Sequence, residues 1–479
     1  MKRALILLTA AATLAGCAVG PNYQRPEPAG SATAAFVAQT AAEAPAATPS
    51  QWWRLYSDPV LDGLVQQALT ENTDLQVAES NLGQARGLLN QARAGLFPSV
   101  GLQAGADYGR SASADAAAAA LGRRAPNAWT YSAGLDVSYE VDLFGQVRRS
   151  VESARANAAA LEAARDAVRV TVAAETTRAY ANVCAYGEAV DVARRSLDIA
   201  QQGYDITLRQ RDAGGLSDFD VARQATLLAQ TKALVPVAEN QRRSALYQLA
   251  VLTGRPPETL MPQVEACRTP PLLKQAIPVG DGTAMLRRRP DVRQAERTLA
   301  AATARIGVVT ANLYPTVTLG GSVTEGAPTL EGLGRYQSLA FGIGPLINWT
   351  FPNTLVAQAQ IQQARAAASG ALAAFNGSVL GALKETEQAL SAYGAELDHH
   401  AALLTARDQS AEAARLAEIR FQAGGASFLE LLDARRSLIV TQSVLAVSDE
   451  ALVSDQITVF KALGGGWEDS PPVAPPKKG

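Results

Sequence analysis

This chain carries its own pattern twice. The segment from Asp74 to Ala94, continuing through Gly95, Leu96, Phe97, Pro98, Ser99 and Val100, matches the segment from Asp291 to Ala311 at one constant offset, continuing there through Asn312, Leu313, Tyr314, Pro315, Thr316 and Val317. Farther along, Ala213-Gly214-Gly215-Leu216-Ser217-Asp218-Phe219-Asp220-Val221 matches Ala423-Gly424-Gly425-Ala426-Ser427-Phe428-Leu429-Glu430-Leu431 at a slightly smaller one. Self-similarity on this scale makes each half one structural unit, and two such units pack into a pseudo-symmetric protomer.

Within each half the predicted order is a helix, two strands, a very long helix, a glycine-containing turn and a second long helix. Apolar or small residues at Val151, Ala154, Ala158, Leu161, Val168 and Val172, and onward to Val190, Leu197 and Tyr204, keep three- and four-residue steps. Such steps make a coiled-coil seam. Val379, Leu383, Leu390, Tyr393, Leu397 and Leu404 repeat it in the second half. Long helices are expected over about 147–212 and 218–253, then over about 354–422 and 427–463. No proline interrupts the first, which at a rise of about 1.5 Å per residue would be about 100 Å long. A globular core needs nothing of that length.

Between the helices the period is two. Apolar residues take alternate places at Tyr131, Ala133, Leu135, Val137, Tyr139, Val141 and Leu143, with Ser, Gly, Asp and Glu between them. Val100, Leu102, Ala104, Ala106 and Tyr108 do the same, as do Val317, Leu319, Gly321 and Val323, then Leu339, Phe341, Ile343, Ile347, Trp349 and Phe351. Strands are therefore expected at about 98–110, 129–144, 316–325 and 338–351. Their length and alternation fit a membrane barrel, apolar toward lipid and polar toward a lumen; a soluble sandwich strand alternates similarly. A membrane barrel closes with at least about eight strands. Four strands from one chain leave edges that lipid cannot satisfy, so the barrel must be shared between copies. Two copies would give eight strands around a lumen filled by side chains, whereas three would give twelve around an aqueous pore.

The N-terminus says how such a chain reaches a membrane. Met1-Lys2-Arg3, an apolar run from Ala4 to Leu14 and then Leu14-Ala15-Gly16-Cys17 read as a signal peptide over 1–16. The last four residues resemble a lipobox, in which Cys17 is diacylated, cleavage falls just before it and the new amino group is acylated too; Ala18, not being Asp, favours outer-membrane sorting. No unbroken apolar stretch of membrane-spanning length follows Cys17. Residues 17–50 are expected to be a lipidated tether, 51–282 the first repeat with a Pro-rich connection at 254–282, 283–466 the second repeat, and 467–479 a disordered tail. Net charge is −2 over 479 residues, which gives no reason to expect nucleic acid as a partner. Cys184 lies in the first long helix and Cys267 in the connection that should wrap it at that height. In an oxidising compartment they are expected to pair as a disulfide, the plainer alternative being two separate buried thiols.

Several of these residues together resemble one family. They are Cys17-Ala18-Val19-Gly20-Pro21-Asn22-Tyr23-Gln24-Arg25-Pro26 after the lipobox, Trp52-Trp53 with Asp58-Pro59 and Leu61, Leu286-Arg287-Arg288-Arg289-Pro290-Asp291, Leu96-Phe97-Pro98 with Leu313-Tyr314-Pro315, and both glycine-containing tips. The chain is similar to the TolC-like outer-membrane factors of resistance-nodulation-division efflux systems, in the NodT lipoprotein branch. That resemblance covers nearly the whole mature chain. It implies a mainly α fold with a β-barrel part: a homotrimer with a shared twelve-stranded barrel in outer-membrane lipid and a helical tunnel across the periplasm. At its far end the tunnel would meet a periplasmic adaptor protein and, through it, an inner-membrane pump.

The resemblance also implies a gate where the long helices turn, with acidic side chains facing the lumen. By spacing from the glycines these are Asp220, and Glu430 with Asp433. Three copies of each around a narrow axis would attract cations. Ala426 stands where some members carry an arginine that ties the closed state, so ties would fall to Arg209, Arg223, Arg420 or Arg435. Gly214, Ser217, Gly424 and Ser427 would form the turns that dock the adaptor. The plainer alternative is that all these charges solvate helix ends.

Catalysis finds no footing. His399 and His400 are adjacent and point to different sides of a helix, so a shared metal is not expected. The Gly214-Gly215 pair lacks the Gly-Lys-Ser/Thr of a phosphate loop. No nucleophile elbow occurs. The expectation is a passive export conduit without cofactor. The competing reading is a periplasmic coiled-coil adaptor lipoprotein, which would have no use for four alternating strands.

Overall fold

The computed structural model describes residues 18–27, 36–38, 43–110, 112–257, 262–273, 275–350 and 354–475. Cys17 and Phe351 lie outside them. The chain is mostly helical with few strands. Helices α1 (Pro59–Glu71), α2 (Thr73–Ala94), α3 (Gln146–Asp212) and α4 (Asp218–Leu252) belong to the first half. Helices α5 (Gly282–Arg288), α6 (Pro290–Ala311), α7 (Thr354–Gln422) and α8 (Phe428–Ala462) belong to the second. The strands are β1 (Ser99–Gly109), β2 (Ala128–Val141), β3 (Thr316–Ala327) and β4 (Leu339–Asn348). Pro236 sits inside α4, which continues through it with one backbone donor fewer.

Two compact units emerge. One comprises Met1–Arg25, Gly83–Ala160 and Glu296–Ala374. It holds a four-stranded antiparallel sheet in the order β1-β2-β3-β4. Below the sheet, Phe144 stacks on Tyr314 at 4.4 Å, pairing an aromatic residue from each half. Helices α2 and α3 meet through Ala85, Leu89, Val151 and Ala158, and α6 and α7 through Ile306, Val309, Ile361 and Ala364.

The segment just after Cys17 is pinned in this unit, which corrects the expectation of a loose tether. Arg149, nearly buried, donates to the carbonyls of Val19 and Gly20 and to Asn22 Oδ1. Gly20 (φ +91°) lies so close to Gly307 that a Cβ would stand 2.5 Å from the Gly307 Cα. Only a residue without a side chain permits that approach. Tyr23 donates to Glu296 at 2.8 Å.

The other unit comprises Pro26–Leu82, Leu161–Ala295 and Phe375–Gly479 and contains the main core. Trp52 and Trp53 are its largest fully buried side chains, and Trp52 stacks on Phe460 at 4.7 Å. Asp58 explains the Asp-Pro pair of the sequence. It is the N-cap of α1, accepts from the Val60 and Leu61 amides and from the Tyr180 hydroxyl, and precedes a proline at the first helical position.

Both flanks depart from expectation here too. Phe36 and Thr48 are buried, and Glu43–Ala44 pairs in parallel with Ile277–Pro278. In the C-terminal segment, Trp467 donates to the Arg288 carbonyl and lies under the Arg293 guanidinium at 4.7 Å, while the Ala474 amide donates to Thr70. Residues 467–475 are thus packed, because one Trp and Val473 supply apolar contacts that a composition rich in proline conceals. The connection includes a short helix, Pro262–Glu265, and is bonded to α3: Cys184 and Cys267 form a disulfide with Cα atoms 4.8 Å apart.

Helices α7 and α8 each contain a stretch long and apolar enough, by length and composition alone, to cross a membrane. A search for unbroken apolar runs passes over them, because Ser, Gly and Gln punctuate the alanines and valines.

Candidate functional site

Two places in the fold can serve a conduit: the sheet and the helix tips. In the sheet, register places like with like. On one face Val100, Leu102 and Tyr108 of β1 stand opposite Val137, Leu135 and Trp129 of β2, while Val317, Gly321 and Val323 of β3 stand opposite Ile347, Ile343 and Phe341 of β4. Leu102, Phe341 and Ile343 are each at least 80% exposed, far beyond what a water-facing surface tolerates in one contiguous patch. The opposite face carries Gln103, Asp107, Thr130, Ser132, Asp136, Ser138, Thr318, Ser322 and Thr324, and Gln103 donates to Asp136 at 2.9 Å. Tyr108, Trp129 and Tyr131 cluster at one end of the strands, and Trp349 follows β4 at the other. Apolar faces flanked by aromatic girdles mark the lipid contact of outer-membrane barrels. Among the described residues of one chain β1 pairs only with β2, and β4 only with β3, so both outer edges are open there. Pro345 falls in such an edge strand, where a missing amide is tolerated.

The two helix tips are built alike. At the end of α3 the Gly215 amide donates to the Gln210 carbonyl and the Gly214 amide to Arg211; at the end of α7 Gly425 donates to Arg420 and Gly424 to Phe421. These paired bonds are the Schellman motif, which needs a left-handed residue, and Gly214 (φ +79°) and Gly424 (φ +73°) supply it. Each turn then ends on a serine N-cap. Ser217 and Asp220 form a capping box for α4, and Ser427 and Glu430 form one for α8. The Ser427 amide donates to Glu430 at 3.0 Å, and the Ser217 hydroxyl donates to Asp220 at 2.7 Å.

Two of the three acids, Asp220 and Glu430, therefore have a local capping task beside the gating role that the resemblance implies. The serine followed three residues later by an acid was the available signal. The Ser217 hydroxyl and amide hold the Asp220 carboxyl below its ordinary range. Its lowered folded value means that this capping contribution is present above the unfolded pKa and fades as pH falls through the folded one. Asp433 is exposed.

The four arginines make other contacts. Arg209 donates to the Asp205 carbonyl, Arg420 to the Gly425 carbonyl at 3.1 Å, Arg435 pairs with Glu418, and Arg223 lies over the Phe219 ring at 5.8 Å. Among the described residues of one chain, none pairs with Asp220, Glu430 or Asp433. The two histidines each face a separate carboxylate, His399 on Glu396 and His400 on Asp449.

The Arg287-Arg288-Arg289-Pro290-Asp291 run carries a role that no periodicity reveals. Arg289 is 9% exposed and reaches three elements: a bidentate pair with Asp291 on α6, Glu385 on α7 at 2.7 Å, and the Ala462 carbonyl at the end of α8 at 2.9 Å. It borders a cavity of about 520 Å³ that also includes Arg178, Thr458 and Lys461.

Comparison with known proteins supplies what geometry alone does not. The family model described as outer membrane efflux protein matches residues 64–255 and 283–465. Nodulation protein T of Rhizobium leguminosarum bv. viciae is 30% identical over 97% of this chain and 94% of its own length. The pyoverdine export outer membrane protein OpmQ of Pseudomonas aeruginosa is 30% identical over 87% of this chain and 88% of its own. Among solved structures, the outer-membrane channel OprN superimposes with a TM-score of 0.85 at 34% identity, covering 94% of this chain and all of OprN.

Proposed function

Because this chain belongs to the outer membrane efflux protein family, and so is an outer-membrane channel component of an efflux system that extends into the periplasm, we propose that three copies close one passive conduit. Its relatives are channel proteins and not enzymes. Three copies of the four-stranded sheet make a twelve-stranded barrel, with the exposed apolar face toward lipid and the Ser, Thr and Gly face toward an aqueous lumen. The observation that carries this reading is the sheet itself: one apolar face, one polar face and two open edges in a single chain. A soluble spacer or adaptor would have to hide that face from water. Exposed apolar residues along the long helices, among them Leu234, Leu380, Val440 and Val447, support further packing between copies.

In this reading the two like halves act as repeats, and the helix tips Gly214 to Ser217 and Gly424 to Ser427 meet a periplasmic adaptor protein that connects to an inner-membrane pump of the resistance-nodulation-division class. Cys17 carries the lipid, yet the apolar band of the barrel buries far more area than acyl chains do and holds the trimer by itself. The test is direct. Cys17→Ser exported with a non-lipoprotein signal should lose palmitate labelling and still run as a heat-modifiable, SDS-resistant trimer from the outer-membrane fraction. Monomer only, with or without lipid, would exclude the shared barrel.

At the tips, Asp220, Glu430 and Asp433 line the closed aperture, and the summed carboxylates set its field. Arg209, Arg223, Arg420 and Arg435 are the residues through which neighbouring tips would be tied. The resting channel should then conduct poorly, prefer cations and be blocked by multivalent cations. Glu430→Gln with Asp433→Asn should weaken selectivity and block together in planar-bilayer recordings. Glu430→Gln retains an oxygen for the capping box, which separates loss of charge from loss of the helix start. Unchanged selectivity and block would return these acids to plain capping and solvation.

A further inference from the structure

The two hairpins repeat one another, yet their tips differ in charge. Helices join the sheet at the ends marked by Ser99, Val141, Thr316 and Asn348, so the β1–β2 and β3–β4 connections lie at the opposite end. With the long helices in the periplasm, that end belongs to the outer leaflet. Every Lys or Arg between Gly95 and Gly145, and between Asn312 and Thr350, falls in those two connections: Arg110, Arg123 and Arg124 in the first, Arg335 in the second.

Strand β1 leads straight to the first of them. Its apolar face runs through Val100, Leu102, Ala104, Ala106 and Tyr108, and the next member of that series is Arg110. At about 3.3 Å per residue and a tilt of about 40°, the chain rises about 25 Å from Val100 to Arg110, the height of a barrel's apolar band. Arg110 thus stands where acyl chains give way to head groups, just beyond the Tyr108 and Trp129 rings, which lie 5.3 Å apart. A short helix, Ala112–Ala119, follows and closes on a left-handed Gly122 (φ +63°), with the Arg123 amide donating to Ala118 and the Gly122 amide to Ala119. Ala125 is buried, so the backbone is held on both sides of Arg123 and Arg124. Both arginines are exposed, and among the described residues neither forms an ion pair; Arg110 has one loose, half-exposed partner, Asp115 at 3.7 Å. Leu121 is exposed just before them, an alkyl group ahead of two charges, as an interfacial segment requires.

The second hairpin lacks this arrangement. Where the first has Tyr108 the second has Glu325, which accepts from the Gly334 amide at 2.9 Å, and Glu331 follows in the connection. Two carboxylates near one arginine repel a phosphate; three arginines with one carboxylate attract it. We propose that Arg110, Arg123 and Arg124 bind the phosphate groups of an anionic lipid of the outer leaflet, its acyl chains lying along the apolar face of β1 and β2. All three cations are arginine, whose planar fork engages phosphate oxygens in pairs.

This site rests on the shared-barrel reading, and the experiment keeps the two apart. Full-length trimer in neutral detergent is mixed with bisphosphorylated lipid A and phosphatidylethanolamine, and bound lipid is counted by native mass spectrometry. The parent should retain lipid A in preference. Arg123→Gln with Arg124→Gln should lower that retention about tenfold or more, the usual effect of losing a charge-assisted contact, and Arg110→Gln should act in the same direction. Arg335→Gln removes an equally exposed cation from the same end and should change nothing. An equal fall with Arg335→Gln would reduce the effect to net charge, and undiminished retention by the double variant would place the lipid elsewhere; either overturns the site. Inorganic pyrophosphate at the same concentration should displace little lipid A, because it brings no acyl chains. Full displacement would make free phosphate the ligand and overturn the lipid assignment. A stable trimer without preference for lipid A overturns this inference alone, whereas a parent that forms no SDS-resistant trimer overturns the shared barrel.

Discussion

Trp52→Ala should lower the stability of the folded chain by about 3–5 kcal/mol, the cost of emptying a large aromatic site in a packed core. Trp52 is fully buried, stacks on Phe460 at an interplanar angle of 12°, and lies against Gly465 and Gly466, which stand where any side chain would meet the indole. Its surroundings join the N-terminal segment to the last turn of α8, so collapse cannot refill the site cheaply. The indole Nε1 has no hydrogen-bond partner among the described residues. Trp52→Phe should accordingly be much milder, because it leaves a smaller void and removes a buried donor that has nothing to bond. Thermal dissociation of the SDS-resistant assembly would rank the three proteins. Equal loss for Phe and Ala would mean that the indole nitrogen is bonded after all and that its hydrogen bond outweighs its volume.

Arg289→Ala should cost about 2–3 kcal/mol, less than a fully buried ion pair would. Asp291 and Glu385 are half exposed, so solvent shares their charge once the guanidinium is gone, and the Ala462 carbonyl bears much of the loss. Arg289→Lys should rescue little, because one ammonium cannot reach three acceptors that a planar fork engages together. Protease accessibility of the α6 and α8 ends is a sensitive readout, since those are the segments the guanidinium joins. Rescue by lysine to the level of the parent would show that only charge matters at this position.

Long-period features were legible in the sequence and short-range chemistry was less so. Alternation of Val100, Leu102, Tyr108, Leu135 and Val137 locates the strands, because a strand with one apolar face must be written in every second residue. Helices without internal prolines or long polar gaps likewise show themselves by three- and four-residue spacing. The packed segments that read as tether and tail did not, since contacts of single residues such as Val19, Gly20 and Trp467 leave no period to detect. The capping boxes are written plainly as Ser217 with Asp220 and Ser427 with Glu430, on the same acids to which the family resemblance gives a gating role. Both uses are compatible, because a carboxylate that accepts from an amide keeps its charge.

The open edges of the sheet carry a kinetic consequence as well. In the proposed shared barrel, β4 of one copy would meet β1 of the next head-to-tail, the kind of contact that closes a ring only if successive rotations return to the start. In the proposed ring of three, every intermediate that lacks the last copy would present one unsatisfied edge at each end and an apolar face to water. Ring closure then competes with open-ended growth, and the winner depends on local concentration and on the curvature of each added sheet. A membrane that accepts the apolar face only when the ring is complete would act as a sink for the closed species and drain the polymer.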